Sequence, residues 1–365
     1  MSPHRRRVAS RLTVLFALVC AVIPVHPSPA AGGGAPLALT SAVQPLCLSG
    51  EYSTPTPNSG PISIVLGPDD NLWFTEHWEN KIGRITATGT ISEFVIPTRK
   101  SLPGSITAGP DGNIWFTENA FTNKIGRITP SGTITEFPVP TSFDLLTITA
   151  GPDGNLWFVE SEGNKIGRIT PSGTITEFPI PTNYSYPGDI TSGPDGNLWF
   201  TEHNGQKIGR ITSTGVITEF VLPENDSYPN SITVGPDSNL WFTEDYNRIG
   251  RITVSGVVTE FVISAADEGP GRIIAGPDNS LWFTKPNENK IGRMTTAGVV
   301  TEFVLPTDDS VPTDLAFGPD GNLWITENFT DRIAKLNPVK LFCVYISLVS
   351  HSIEDEDHRR NPKIP

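Results

Sequence analysis

Acidic residues recur at one fixed place in this 365-residue sequence, at the end of a phrase such as Leu-Trp-Phe-Thr-Glu. The position is held by Glu76, Glu118, Glu160, Glu202, Glu244 and Glu327, and by Lys285 in one copy. Carboxylate oxygens suit a divalent cation if the fold brings several of them together. Alternatively, these carboxylates are solvated or are paired with neighbouring Lys and Arg side chains. The sequence leaves both interpretations open.

Two further positions vary from copy to copy and could contact a ligand. The first directly follows the recurring acid: His77, Asn119, Ser161, His203, Asp245, Pro286 and Asn328. The second lies upstream, near the start of a short apolar run: Ser63, Ser105, Thr147, Asp189, Ser231, Arg272 and Asp314. Because the constant positions of a repeat serve the scaffold, we take these variable positions as candidate functional sites.

Seven tryptophans, spaced 41 or 42 residues apart, indicate which elements must position these side chains. They are Trp73, Trp115, Trp157, Trp199, Trp241, Trp282 and Trp324. A period of about 40 residues, with short β-patterned runs and Gly turns, is typical of propellers with four-stranded blades. The sequence therefore predicts an all-β protein, a seven-bladed β-propeller of four-stranded antiparallel blades. Each Trp is expected to pack between neighbouring blades.

The copy around Trp157 predicts how one blade is built. Residues 147–151 fit the innermost strand A, 156–160 strand B, 165–170 strand C and 174–179 strand D. A two-residue turn at Ser172 and Gly173 would place Arg168 opposite Glu177, a pairing that contributes roughly 0.2–1 kcal/mol. The same count pairs Arg84 with Glu93, Arg127 with Glu136, Arg210 with Glu219, Arg251 with Glu260 and Arg293 with Glu302.

The last copy lacks its own strand D, and the missing strand is found at the other end of the chain. Its strand C is followed by Asn337 and Pro338, whereas residues 47–53 match the D strands of the other copies. We expect this N-terminal strand to complete the last blade and close the ring, with Lys335 facing Glu51. Strand A begins and strand B ends on one face, so the variable positions would surround the mouth of a central channel.

The first thirty residues predict export, and the two ends of the chain flank the propeller. Residues 1–30 combine four Arg with a short apolar run and small residues, which is typical of a secretory signal peptide. We expect a linker over residues 31–45, the propeller over 46–349, a disordered tail over 350–365, and no stable membrane insertion after cleavage. In an oxidising compartment, Cys47 and Cys343 would join the two ends of the ring.

Charge and oligomeric state narrow the range of partners. Without residues 1–30, the formal net charge changes from −13 to −17, which disfavours nucleic acid as a partner. A closed ring has no open edge that demands a second subunit, so we expect a monomer.

His77 and His203 lie in the first and fourth copies, almost opposite each other in a ring of seven. A surface-loop role is therefore favoured over general base catalysis, which needs hydrogen-bond reach to one proton.

The repeated phrases GPDGNLWFTE, NKIGRIT and TEFPIPT, over roughly residues 50–336, resemble the streptogramin B lyase family, also called virginiamycin B lyases. The resemblance implies a seven-bladed propeller that linearises cyclic depsipeptide antibiotics. It also implies a magnesium-assisted elimination at the ester bond, not a hydrolysis. The family carries a Pro-His phrase at the start of strand A in blades six and seven. The later His is the base, and a Glu stands just before the Pro.

Several of these family residues are replaced in this sequence. Gly271 and Thr313 occupy the two His positions, Val311 the Glu position, and Ile62 the position of a family Tyr. Only the acidic metal ligand of the last blade has a counterpart, Glu327. An elimination needs a base within reach of the proton that it removes, and neither Gly nor Thr supplies one.

These observations favour a secreted propeller that binds a small-molecule or cell-envelope ligand on its channel face. The candidate contacts are His77, Asp189, Glu202, Arg272, Lys285 and Asn328. The alternative is a magnesium-dependent carbon–oxygen lyase acting on a streptogramin B-type antibiotic or a related ester. For that alternative the candidate catalytic residues are Asp314, Glu327 and His203, and the candidate metal ligands are Asp314 and Glu327.

Overall fold

Seven β-sheets form a closed ring around a central channel. The computed structural model describes residues 43–45, 48–119, 123–140, 144–223, 226–263 and 269–338. Each blade has four antiparallel strands, which we letter A to D from the channel outward. The innermost strands of neighbouring blades contact each other around the whole ring, including those of blades seven and one. The predicted fold class is confirmed.

The strand bounds repeat closely from blade to blade. The A strands are Pro61–Leu66, Pro103–Ala108, Leu145–Ala150, Pro187–Ser192, Pro229–Val234, Ile273–Ala275 and Pro312–Phe317. The B strands are Leu72–Glu76, Ile114–Glu118, Leu156–Glu160, Leu198–Glu202, Leu240–Glu244, Ser280–Lys285 and Leu323–Glu327. The C strands are Lys81–Ile85, Lys124–Ile128, Lys165–Ile169, Lys207–Ile211, Arg248–Ile252, Lys290–Thr295 and Arg332–Leu336. The D strands of blades one to six are Ile91–Val95, Ile134–Pro138, Ile175–Pro179, Ile217–Val221, Val258–Val262 and Val300–Val304. Short 3-10 helices, Pro286–Glu288 and Asn328–Thr330, follow strand B in blades six and seven.

The N-terminal segment closes the ring, as predicted. Leu48–Ser53 pairs antiparallel with Arg332–Leu336 and serves as strand D of blade seven. Upstream of it, Val43–Pro45 pairs in parallel with Val300–Val304 and adds a fifth strand to blade six. The last residues of the expected linker therefore cover the outer edge of that blade. Edge pairing of this kind removes free backbone donors and acceptors.

The tryptophans pack between the blades. Trp157 of blade three is fully buried and clusters with Ile190 and Phe200 of blade four. Its indole Nε1 donates a hydrogen bond to Asp153 Oδ1 at 3.0 Å, and the Arg168 guanidinium carbon lies 5.5 Å from the ring centroid. Burying such a ring removes a large apolar surface from water. The prediction that each Trp is a wedge between twisted sheets is confirmed.

The hairpin between strands C and D has a different turn from the one predicted. Thr170 N–H donates to Thr174 O at 3.0 Å, and Gly173 N–H donates to Thr170 O at 2.8 Å. The loop therefore holds three residues, and Gly173 adopts a φ of 95° that favours glycine. One extra loop residue shifts the register of the two strands by one position.

The predicted Arg–Glu pairs are consequently wrong. Arg168 faces Thr176, while Glu177 faces Gly167 and pairs with Lys165 at 2.7 Å. The same shift puts a Gly opposite Glu93, Glu136, Glu219, Glu260 and Glu302.

The predicted pair in blade seven is also wrong by one position, although no hairpin joins its strands C and D: Gly50, and not Glu51, lies opposite Lys335. Glu51 faces Ala334 and forms its ion pair with Arg332 at 3.3 Å. Lys335 instead pairs with Asp320 at 2.6 Å.

Several predictions concern residues outside the described part of the chain. They are the signal peptide of residues 1–30, most of the linker, the tail of residues 350–365, and the disulfide between Cys47 and Cys343. These stay predictions. Within the described residues, no helix has the length and apolar character needed to cross a bilayer.

Candidate functional site

The variable positions near the start of strand A form a ring of side chains in the channel. One member, Arg272, which directly precedes strand A of blade six, bridges two acids from other blades. Its Nη1 lies 2.6 Å from Asp189 Oδ2, and its Nε lies 3.3 Å from Asp314 Oδ1. Asp189 belongs to blade four and Asp314 to blade seven, so the guanidinium links blades that are not sequence neighbours. This bridge spans the channel near its mouth.

Hydrogen bonds from the neighbouring blade hold each acid. Asp314 Oδ2 accepts from Ser63 Oγ at 2.7 Å and from Ile64 N–H at 3.0 Å. Burial raises the pKa of Asp314, while the positive charge of Arg272 and these hydrogen bonds act in the opposite direction. Burial alone would lower the pKa of Arg272, but Asp189 and Asp314 together raise it. The cluster is therefore a closed network of charges inside the channel.

Asp189 has the equivalent arrangement in blades four and five. Its Oδ2 accepts from Ser231 Oγ at 2.8 Å and from Ile232 N–H at 2.9 Å. Its Oδ1 accepts from Ile190 N–H at 2.8 Å. Charge-assisted hydrogen bonds of this type are stronger than neutral ones.

A cavity of about 310 Å3 continues the channel below this network. Arg272 and Asp314 line its charged end. The rest of the wall includes the residue after each ring position, Ile64, Ile106, Ile148, Ile190, Ile232, Ile273 and Leu315, and the hydroxyl-bearing Thr107, Thr149, Thr191 and Thr233. The channel thus offers a charged end above an interior of mixed apolar and hydroxyl side chains.

The recurring acids at the end of strand B are fully buried and do not line the channel mouth as rim residues. Glu76 is 0% exposed, faces Lys81 across the sheet, and lies near Glu93. Burial first, and then the charge of Glu93, raise the pKa of Glu76 to about 8. Burial likewise raises the pKa values of Glu118 and Glu202 to about 8, and those of Glu160 and Glu327 to about 7.

In blade six the last residue of strand B is positively charged and not negatively charged. Lys285 replaces the Glu, is 1% exposed, and pairs with Glu302 at 2.9 Å and with Glu288 of the adjoining 3-10 helix. Lys285, and Glu244 in its ion pair with Arg248 at 3.0 Å, fit the interpretation of pairing with neighbouring charged side chains. Within the described residues, the carboxyl oxygens of Glu76 and Glu160 are buried without a hydrogen-bond partner, in agreement with their raised pKa values. Glu202 and Lys285, both candidate ligand contacts, thus lie in buried layers of the blades.

The magnesium ion that the family resemblance implies does not fit the candidate ligands. Asp314 is held by Arg272 and Ser63, whereas Glu327 lies near Thr330, Arg332 and Glu51. In the described residues, no group of three or more His, Cys, Asp or Glu side chains could hold a metal ion. Magnesium is usually bound through one or two carboxylates and keeps several waters, so the contacts of Asp314, and not the number of protein ligands, carry the misfit. Arg272 already supplies the positive charge next to Asp314.

The two histidines lie in separate surroundings. His77 Nδ1 is 3.0 Å from the Pro103 carbonyl oxygen, and its ring packs edge-on against Trp78 at 4.5 Å. Burial lowers the pKa of His77. His203 Nε2 lies 3.5 Å from Asp245 Oδ2, and a hydrogen bond to that carboxylate raises the pKa of His203.

Asn328, the remaining candidate contact, belongs to blade seven. Its Nδ2 donates to the Pro61 carbonyl oxygen at 3.4 Å. It therefore helps to join the first and last blades at the mouth.

The positions that carry His in the resembling family have different chemistry here. The Thr313 hydroxyl lies 2.8 Å from the Ile62 carbonyl oxygen and 2.8 Å from Thr326 Oγ1. At Gly271, a Cβ atom would lie 2.7 Å from Thr284 Oγ1, so a side chain there would displace its neighbour.

The sequence analysis missed a set of exposed aromatic side chains on the same face. They stand on the B–C turns and the D–A connections: Trp78, Tyr184, Tyr186, Tyr246 and Phe329. The available signal was that other copies carry polar residues at some of these places, for example Asn58 at the position of Tyr184 and Asn204 at that of Trp78. Exposed aromatic rings are common at binding surfaces.

Comparison with known proteins agrees with this architecture. A model of the Virginiamycin B lyase family matches residues 46–183, 142–247 and 244–345. The chain belongs to this family. A streptogramin B lyase structure shares 40% identity over 79% of this chain and 96% of its own, with a TM-score of 0.74. The virginiamycin B lyase of Staphylococcus aureus shares 42% identity over 79% of this chain and 98% of its own, with a TM-score of 0.74.

A third similar structure concerns the chemistry of the virginiamycin B lyase family. It is a catalytically inactive His-to-Ala variant of the Staphylococcus aureus enzyme with quinupristin. It shares 41% identity over 79% of this chain and 98% of its own, with a TM-score of 0.74. In that relative, one His replacement accompanies the loss of activity.

Proposed function

We propose that this protein binds a small-molecule or cell-envelope ligand at the channel mouth and does not catalyse the elimination of its family. The observation that carries the proposal is the pair Gly271 and Thr313 at the family's His positions. Glycine has no side chain to accept a proton. The Thr313 hydroxyl already contacts Ile62 and Thr326, and a neutral hydroxyl is a poor base near pH 7.

Asp314 is the nearest alternative base, and its contacts argue against that role. Its carboxylate faces Arg272 and accepts from Ser63, Ile64 and Leu315. A proton acceptor in this position would have to give up charge-assisted hydrogen bonds before it reacted.

The mouth has the features of a binding site. Charged groups that fix orientation, above all the Arg272 network, stand above a cavity lined by Ile and Thr side chains. Concave sites with a few convergent polar groups are the usual place for ligands in propellers and other rings. The acidic surface disfavours nucleic acid. The Arg-rich, apolar start of the sequence supports export, which would bring the protein to extracytoplasmic ligands.

The first experiment asks whether the family reaction occurs. Purified protein is incubated with quinupristin, with and without magnesium, and the mixture is followed by mass spectrometry and ultraviolet absorbance. The Staphylococcus aureus enzyme serves as the positive control. We expect no linear product. A linear product of unchanged mass, with a new conjugated double bond, would refute the proposal, and its loss in Asp314→Asn would identify the base.

The second experiment tests the position of the binding site. A surface screen of depsipeptides, peptides and cell-envelope glycans is run on the native protein and on Asn230→Trp. Asn230 is exposed at the second position of strand A in blade five, so a large ring there would obstruct the mouth. Val216→Trp is the matched control, since Val216 is exposed on a C–D hairpin at the opposite edge. Equal binding by both variants would contradict a site at the mouth.

A further inference from the structure

A second pocket lies between blades three and four, outside the channel. It has a volume of about 270 Å3 and is lined by Ser161, Glu162, Asn164, Asn183, Tyr184 and Tyr186. The first three residues belong to the B–C turn of blade three, and the others to the connection that leads into blade four. We call it the tyrosine pocket. It shares no residue with the Arg272 network, so binding in this pocket does not depend on the proposed function.

The two tyrosines are held in an unusual conformation. Tyr184 is 80% exposed and Tyr186 is 41% exposed. Both have left-handed backbones, with φ values of 56° and 47°. Bulky residues rarely adopt this region, but the loop imposes it in other blades as well, since Leu102 and Val311 at the position of Tyr186 are also left-handed.

The equivalent positions of other blades show that the aromatic rings are not needed by the scaffold. Asn58, Lys100 and Asp309 correspond to Tyr184 and share its left-handed backbone. Asn and Asp adopt this conformation more readily than other side chains. Blade four therefore carries an exposed ring where the fold accepts Asn, Lys or Asp.

The surroundings of the pocket are negatively charged. Glu162 lines it, and Asp144 lies close enough that the charge of Glu162, after burial, raises the pKa of Asp144. Lys165 is paired with Glu177 at 2.7 Å. The described residues of the top loops of blades three to five, namely 144, 161–164, 183–186, 203–206, 223, 226–228 and 245–247, contain four acids and no Lys or Arg. An anionic ligand would be repelled here.

We propose that the tyrosine pocket binds an organic cation, namely a quaternary or tertiary ammonium group carried by a small molecule. The faces of Tyr184 and Tyr186 would contact the methyl groups, and the carboxylates of Glu162 and Asp144 would neutralise the charge. Attraction between a cation and an aromatic face is the recurring mode of quaternary ammonium recognition. The exposed amide of Asn183 provides a hydrogen-bond partner for the remainder of the molecule, whereas the Asn164 amide is held by Ile180, Thr182 and Ser185 and only shapes the wall.

Choline and its uncharged isostere, in which carbon replaces nitrogen, are the probes. Binding to the full-length protein is measured by calorimetric titration. We expect choline to bind about tenfold more tightly than the isostere, since only the cation is attracted to the ring faces and carboxylates. Tyr184→Gly, which keeps the left-handed backbone without strain, should abolish this preference. Tyr184→Phe should retain it, and Glu162→Gln should weaken it.

Tyr246→Gly is the matched control. Tyr246 is also a left-handed, exposed tyrosine, at φ 60° and 60% exposure, but it lies on blade five and does not line the pocket. This variant should bind choline like the native protein. The proposal is overturned if choline and its isostere bind equally, if choline does not bind, or if Tyr184→Gly has no greater effect than Tyr246→Gly.

Discussion

Replacement of Glu76 by Gln should stabilise the fold, and more strongly at neutral than at acidic pH. Glu76 is 0% exposed, and burial together with the charge of Glu93 raises its pKa to about 8. An unfolded chain ionises Glu at a pKa of about 4.3. Between these values the carboxyl is protonated in the folded protein and ionised in the unfolded chain.

The sign and size of the effect follow from this difference. Because the folded-state pKa is the higher one, the contribution of Glu76 to stability is full below a pH of about 4.3 and is lost as the pH rises toward 8. Each pH unit inside this window costs about 1.4 kcal/mol, so a change from about pH 5 to about pH 7 removes about 3 kcal/mol. Gln has nearly the shape of the protonated acid and does not titrate. The variant should therefore escape this loss.

The assay is urea-induced unfolding of the native protein and Glu76→Gln at both pH values. The free energy gained by the substitution should be about 3 kcal/mol larger at the higher pH. An equal effect at both pH values would refute the reasoning.

Glu136→Gln is the control of opposite sign. Burial tends to raise the pKa of Glu136, but hydrogen bonds from Thr98 and Lys124 hold it below its usual value. The contribution of that ionised group is present above the unfolded-state pKa and is lost as the pH falls through the folded-state pKa. Glu136→Gln should thus destabilise the protein at neutral pH and have a smaller effect in acid.

Three further substitutions test the packing. Trp157→Ala should cost about 3–5 kcal/mol in urea unfolding, because a fully buried ring between two blades is lost. Arg272→Leu should lower the free energy of unfolding by about 3–5 kcal/mol, since Asp189 and Asp314 would be left without their cation. Replacing both acids by Asn in the same variant should recover part of this loss. Gly173→Ala should destabilise the fold by more than about 1 kcal/mol, because the φ of Gly173 is 95° and a Cβ atom would lie 2.5 Å from Phe137. The measurement is a lower melting temperature. No measurable change in any of the three would contradict the corresponding packing argument.

The candidate site shows where sequence reasoning stopped. Arg272 and Asp189 were both identified as variable positions near the start of strand A, but their 2.6 Å contact joins residues 83 positions apart. No local pattern encodes such a contact, because it depends on how the ring closes. The recurring acids were visible as a repeat, yet the sequence could not distinguish a solvated rim from the buried layer that Glu76 occupies.

The register error has an equally specific cause. A three-residue loop and a two-residue loop both suit the turn around Ser172 and Gly173, and their compositions overlap. One residue of difference moves Arg168 from Glu177 to Thr176. The strands were placed correctly to within one or two residues, whereas the pairing of their side chains required the actual turn.

The sequence by itself determined the number of blades, the buried tryptophans and the strand that closes the ring, because these depend on local periodicity and on one missing segment. Only the tertiary structure decided which charges meet in the channel, which carboxyls lose contact with water, and where the exposed tyrosines form a pocket. These features arise between blades. The energies that govern them depend on distance and burial in three dimensions, and spacing along the chain specifies neither.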